Sequence, residues 1–287
     1  MKRKHRSSAL ALFALVVCAG CDRGITPPSL PETAGAVDPE ALQYRYSLTD
    51  AVGGLPEGAV AVALREDAQL LIGHAGGLRL MDLSGRTVLD VPLPGAVKAV
   101  ACGASGSLYG ASRDTVWVVS PEGEVMARWS DAGDEDFRHI TGLAVREPEL
   151  YVADAGRRAV YRVAINGDPI GTIGRADPEQ GIPGLRVPSP FLDVAVGPQN
   201  SVWVNNPGLR RVEQYRSDGA LLSSWGESGL SPDAFPGCCN PTNLALISGP
   251  ERRVVTAEKG VPRLKVFGAD GALLGHVGRE FFSPSAQ

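Results

Sequence analysis

Apolar residues along this chain fall into short runs, and clusters of Gly, Pro, Asp, Asn and Ser separate them at nearly even intervals. The runs are rich in Val, Ile, Leu and aromatic residues, and none sustains the three-to-four-residue spacing of an amphipathic helix, so each reads as a strand. In the third unit of the pattern they are ITGLAV, ELYVADA, AVYRVAI and PIGTIG; the fourth gives FLDVAV, SVWVNNP, RRVEQYR and LLSSWG; the fifth gives TNLALI, RVVTAE, RLKVFG and LLGHVG. Two more worn units precede them, GAVAVAL, QLLIGHA, GLRLMDL, TVLDVPL and then VKAVACG, SLYGAS, TVWVVS, VMARWS. Each unit carries a Gly-ending turn between its third and fourth runs: Ser84-Gly85, Glu122-Gly123, Asn166-Gly167, Asp218-Gly219 and Asp270-Gly271. Gly accepts positive φ without steric cost, so these dipeptides predict tight two-residue hairpins.

A four-strand meander repeated at a period of roughly forty to fifty residues is the blade of a β-propeller. The fold class expected is therefore all-β, built of four-stranded antiparallel blades that bury their faces only against neighbouring blades. The segments LAVREPELYVADAGRRAVYRVAINGDPIGTIG and LKVFGADGALLGHVG resemble the NHL-repeat family of β-propellers, whose pattern runs Gly-Ile-Ala-Val, Tyr-Val-Ala-Asp, Arg-Ile-x-Val-Phe, Asp-Gly. The resemblance covers residues 55 to 280, more closely from 136 onward. It departs at Ala159, where the family prefers Arg, and is kept at Arg211 and Arg263. It implies a six-bladed, TolB-like ring. Five complete units are present, so the chain forms either five blades or five plus a degenerate sixth to which QYRYSLTD, residues 43 to 50, contributes.

The N-terminus changes the picture by adding a compartment. MKRKHR is followed by the apolar run SSALALFALVVCAG and then Cys21, the layout of a secretory signal. The stretch VCAGC resembles a bacterial lipoprotein box, which implies a signal peptide over residues 1–20 and lipid modification of Cys21. Residues 21–42, rich in Pro, Ala and acidic groups, read as a flexible tether, leaving 43–287 as the propeller. The expected location is the bacterial cell envelope, lipid-anchored and facing the periplasm or exterior. Cleavage removes four of the 28 basic residues and leaves 24 against 32 acidic, a net charge near −8. That balance argues against nucleic acid as a partner, because phosphate backbones need clustered positive charge.

Strand order by itself assigns loops to the two rims of such a disc. With strands lettered a to d from the channel outward, loops d–a and b–c share one rim, and loops a–b and c–d share the other. PGCCNPTN, residues 236 to 243, is the d–a loop into the fifth unit, and AEKGVPR is that unit's b–c loop. Cys238, Cys239 and Asn240 are thereby expected beside Glu258, Lys259 and Arg263. Cys102 ends a strand a and belongs near the opposite rim, too far for a disulfide to the pair. Four readings of Cys238 and Cys239 stay open: a vicinal disulfide favoured by an oxidising compartment, a dithiol activated by Lys259 and Arg263, a metal site, or a pair of packed structural residues. Metal is the weakest of them, since His74, His139 and His276 stand apart without ligand spacing, and no metal ligand is assigned.

Asp154, Asn206 and Glu258 recur 52 residues apart at the end of strand b, where a side-chain oxygen can accept from its own b–c turn. The acidic loop DAGDEDFR lacks the alternation of a calcium loop. No nucleophile elbow, P-loop or dinucleotide fingerprint occurs. The expectation is a non-catalytic scaffold with no cofactor, binding an unknown protein or small-molecule ligand through the rim that carries Cys238, Cys239, Asn240, Glu258, Lys259, Arg263, Asp154 and Asn206. The alternative is a redox accessory or metal-dependent enzyme using the Cys238–Cys239 face.

Overall fold

The five glycine turns set the pattern of the whole molecule. In each, the Gly N–H donates to the carbonyl three residues back, as Gly85 does to Asp82 and Gly123 to Ser120, both at 3.0 Å. The glycine itself takes φ between +87° and +96°. The ladder then shifts register by one residue just before the turn, in all five units. This is the longer hairpin loop closed by a left-handed residue and a bulge, in place of the expected two-residue turn. Positive φ at Gly is required either way, which is why the dipeptides located the hairpins correctly.

The structure is a computed structural model and describes residues 51–278, apart from residues 180, 248, 250, 251, 261 and 262. The expected signal segment, the tether with Cys21 and the strand candidate at 43–50 lie outside the described residues. Blade 1 contains β1 (Ala61–Leu64), β2 (Leu70–His74), β3 (Gly77–Met81) and β4 (Thr87–Pro92). Blade 2 contains β5 (Ala99–Cys102), β6 (Leu108–Ala111), β7 (Val116–Val119) and β8 (Val125–Trp129). Blade 3 runs through β9 (Ile140–Arg146), β10 (Glu149–Asp154), β11 (Ala159–Ala164) and β12 (Pro169–Ile173). Blade 4 has β13 (Val194–Val196), β14 (Val202–Asn206), β15 (Arg211–Tyr215) and β16 (Leu221–Trp225). Blade 5 has β17 (Asn243–Ile247), β18 (Arg253–Glu258), β19 (Arg263–Gly268) and β20 (Leu273–Val277).

Each blade is an antiparallel meander in simple sequence order. The first strands of consecutive blades touch one another, β1 to β5, β5 to β9, β9 to β13 and β13 to β17, so strand a is innermost. The molecule is an all-β propeller. Among the described residues it has five blades, which corrects the six-bladed ring that the family resemblance implied: only five segments carry a full set of four strands. The two worn units fold as completely as the others.

Alternation along each strand sends successive side chains to opposite faces, and both faces are apolar. In β11, Val160 packs toward blade 4 while Ala159, Tyr161 and Val163 pack toward blade 2. Four cores lie between consecutive blades, and the outward faces of blades 1 and 5 carry clusters of their own around Ile72 and Val266. Strand β13 is shorter than the run FLDVAV predicted. The backbone of its first half is engaged by side chains instead of a ladder: Asp193 N–H donates to Asn205 Oδ1 at 2.6 Å, and the Leu192 carbonyl accepts from Thr141 Oγ1 at 2.7 Å.

Candidate functional site

The d–a and b–c loops are bound to each other residue by residue. In blade 5 the Asn240 amide donates to the carbonyls of Pro236 (2.8 Å) and Lys259 (3.2 Å), and its Oδ1 accepts from Lys259 N–H at 2.9 Å. A buried primary amide satisfied on both sides in this way holds two loops at fixed separation. Blade 3 does the same with a carboxylate: Asp154 accepts from Arg138 N–H (2.7 Å) and His139 N–H (3.0 Å) in the d–a loop, and from Arg157 N–H (3.0 Å) in its own b–c turn. In blade 4, Asn206 Oδ1 accepts from Arg186 N–H at 2.9 Å and its Nδ2 donates to Glu213 at 3.0 Å. Among the described residues, the own-turn bond expected for Asp154, Asn206 and Glu258 is made by Asp154; the Asn206 side chain instead joins the loop before β13 and Glu213 on β15.

Blade 5 carries a different version. Glu258 pairs with Arg263 at 2.5 Å and with Lys265 at 2.8 Å. Glu258 is 6 % exposed, Arg263 4 % and Lys265 0 %. Burial pulls the Lys265 ammonium down to about 8, against the pull of the Glu258 carboxylate in the other direction. Asp154, Asn206, Glu258 and Arg263, all expected on the binding face, therefore point inward: Asp154 and Asn206 brace the loops, and Glu258 and Arg263 close a buried ion pair. Of the sequence candidates, Cys238 and Lys259 present side chains at the rim, with Cys239 and Asn240 buried beneath.

The paired cysteines lie where the loop argument put them. Cys238 is exposed, Cys239 is buried, and their Sγ atoms stand 3.2 Å apart as free thiols. The hydrogen bond with Cys239 is the main influence holding the Cys238 thiol above its usual range; partial burial adds to it, and the positive charge of Lys259 opposes by less. Lys259 is partly occupied elsewhere, its Nζ lying 4.3 Å from the centroid of Phe191. Arg263 is taken up by Glu258. Cys102 is half-buried beside Arg65 and Asp67, and burial pushes its thiol up to about 12. His74 accepts from Gly76 N–H at 3.2 Å, and His139 is held by burial below the ordinary imidazole value.

Next to Cys238 the rim opens into a cavity of about 470 Å³. Its walls come from three successive blades: Arg158 from the b–c loop of blade 3, Arg186, Val187 and Pro188 from the loop before β13, Arg210 from the b–c loop of blade 4, and Cys238 from the loop before β17. None of the three arginines was legible as a site residue. The available signal was that Arg158 and Arg210 occupy the same step of the repeat, four residues after Asp154 and Asn206. Sequence reasoning also passed over Asn205 and Asp193. Asn205 Nδ2 donates to the carbonyls of Pro241 (2.8 Å) and Thr242 (2.9 Å), and Asp193 accepts from Leu244 N–H at 3.1 Å, so both join blade 4 to blade 5.

Comparison with known proteins identifies the architecture and stops there. No family model and no curated protein matches the chain. Among solved structures, a protein of unknown function from Bacteroides caccae superposes with a TM-score of 0.58 at 14% identity, covering 80% of this chain and 85% of that one. Virginiamycin B lyase from Staphylococcus aureus gives 0.55 at 11% identity, covering 77% and 69%. The WD40 β-propeller domain of Doa1 gives 0.52 at 12%, covering 72% and 62%. At such identities the likeness defines the class, a β-propeller, and nothing about chemistry.

Proposed function

We propose that this chain is an NHL-type propeller tethered to the cell envelope through Cys21, and that it binds a ligand at the rim formed by its d–a and b–c loops. The observation that carries the reading is the cavity beside Cys238, walled by loops of three blades that buried side chains hold in place. A concave site assembled on a rigid scaffold with convergent polar groups is the usual form of a binding pocket. Pro188 lies on the cavity wall, outside the blade cores, so Pro188→Trp fills the space without disturbing a core. When the full-length mature protein, solubilised in detergent, is incubated with envelope extract, the variant should retain at least tenfold less of whatever the wild type retains. Equal retention rejects this rim as the binding face. The tether is tested separately: Cys21→Ala should move the protein from the membrane fraction to the soluble fraction, and unchanged membrane retention rejects lipid anchorage.

A second reading rests on the 3.2 Å contact between the Cys238 and Cys239 thiols. In this reading a low-molecular-weight disulfide accepts two electrons and two protons from the pair, is itself reduced to two thiols, and leaves a Cys238–Cys239 bond. Titration of free thiols after treatment with such a disulfide distinguishes the two: a loss of both thiols without a mixed adduct supports redox closure, and an unchanged count removes it.

A further inference from the structure

The rim cavity is lined by three arginines and by no acidic residue. Nearby arginines show what is unusual about this: Arg162, Arg175 and Arg211 are paired with Glu149, Glu135 and Glu213. Among the described residues, Arg158, Arg186 and Arg210 have no acidic partner. Three like charges around one small space repel each other, in a chain whose overall charge is negative. The arrangement is relieved by an anion placed among them.

The protein holds these side chains there by construction. Arg158 and Arg210 stand 52 residues apart in consecutive blades, and both adopt φ of +56°, a left-handed conformation that long side chains seldom take. Arg186 is fixed through its backbone: its N–H donates to Asn206 and its carbonyl accepts from Gly208 N–H at 2.8 Å. The approach is so close that a Cβ on Gly208 would lie 2.5 Å from that carbonyl oxygen, so position 208 must be Gly. Arg210 donates Nε to the Gly237 carbonyl at 2.9 Å, which brings it against the loop bearing Cys238.

We infer that this cavity binds a small solute bearing carboxylate or phosphate oxygens, gripped by Arg158, Arg186 and Arg210 and backed by the apolar wall of Val187 and Pro188. The inference rests on the rim being the binding face and names the chemistry of what it takes. Guanidinium forks match the paired oxygens of both groups, and the volume lies within the range of small-molecule sites, about 300–1,000 Å³.

The test is calorimetric titration of the detergent-solubilised full-length mature protein with inorganic phosphate and, separately, with citrate, at constant ionic strength. Saturable binding of phosphate assigns the site to phosphate oxygens, and saturable binding of citrate assigns it to carboxylates. Arg158→Asn, which tolerates the left-handed backbone, and Arg186→Ala, whose anchoring bonds are all main-chain, should each weaken binding about tenfold or more. Arg86→Ala, on an exposed c–d turn, should change nothing. No saturable heat with either anion up to about 10 mM, or full binding by the Arg158→Asn, Arg186→Ala double variant, overturns the assignment. If neither anion binds yet Pro188→Trp still abolishes retention from envelope extract, the binding face stands and only its anionic chemistry fails.

Discussion

Glu258, Arg263 and Lys265 show how one strand position is reused with the charges exchanged. Blade 4 has Asn206, Arg211 and Glu213 at the same three places, with the carboxylate on the third strand; blade 5 moves the carboxylate to the end of the second strand and puts Lys265 where Glu213 would be. Either way a buried acid faces a base. Removing one member leaves the others uncompensated in a dry environment, so Glu258→Gln should cost about 3–5 kcal/mol in urea denaturation. Lys265 also gives a pH signature. Its folded pKa of about 8 lies below the 10.5 of the free side chain. The unfolded chain therefore holds the extra proton between those values, and stability should rise as pH is raised from 8 toward 10. Lys265→Met should remove that slope, which thermal melts across the interval will read.

Between loops, the working unit is the side chain that ends strand b or lies in the d–a loop and reaches across. Asn240 makes two such bonds, both with the main chain of Lys259, and a third to the Pro236 carbonyl of its own loop. Asn240→Ala leaves those groups unsatisfied and should cost about 1–3 kcal/mol. Because the same bonds hold the loop that carries Cys238, the variant should also alkylate faster at Cys238 than the wild type with iodoacetamide, measured by peptide mass spectrometry. An unchanged alkylation rate would mean that the loop is held by other contacts.

Across the whole molecule, stability is arranged as a series of interfaces between neighbours. Phe267 belongs to the interface of blades 4 and 5, its ring centroid 4.8 Å from Trp225 and 5.8 Å from Phe235. Phe267→Ala should cost about 3–5 kcal/mol. In hydrogen exchange the loss of protection should concentrate in β17–β20 and fade from blade 4 toward blade 2, because each blade is held chiefly by its immediate neighbours. Uniform loss in all five blades would show that the blades unfold as one unit.

The repeat, the strands and the rim on which the cysteines sit were all legible because they follow from local chemistry. Glycine must occupy the left-handed turn position, apolar runs of strand length must pair, and an antiparallel meander returns every second loop to the same edge. Cys238 and Lys259 could be assigned to one rim on that logic alone. What the sequence could not supply is which way a polar side chain turns once its strand is packed. Glu258 and Arg263 look like surface charges until the blade 4 face closes over them, and Arg158, Arg186 and Arg210 are ordinary loop arginines until three blades set them around one space. Pattern along a chain determines what each element is; only the packing of elements that are distant in sequence decides which charges are compensated inside and which are left facing a cavity.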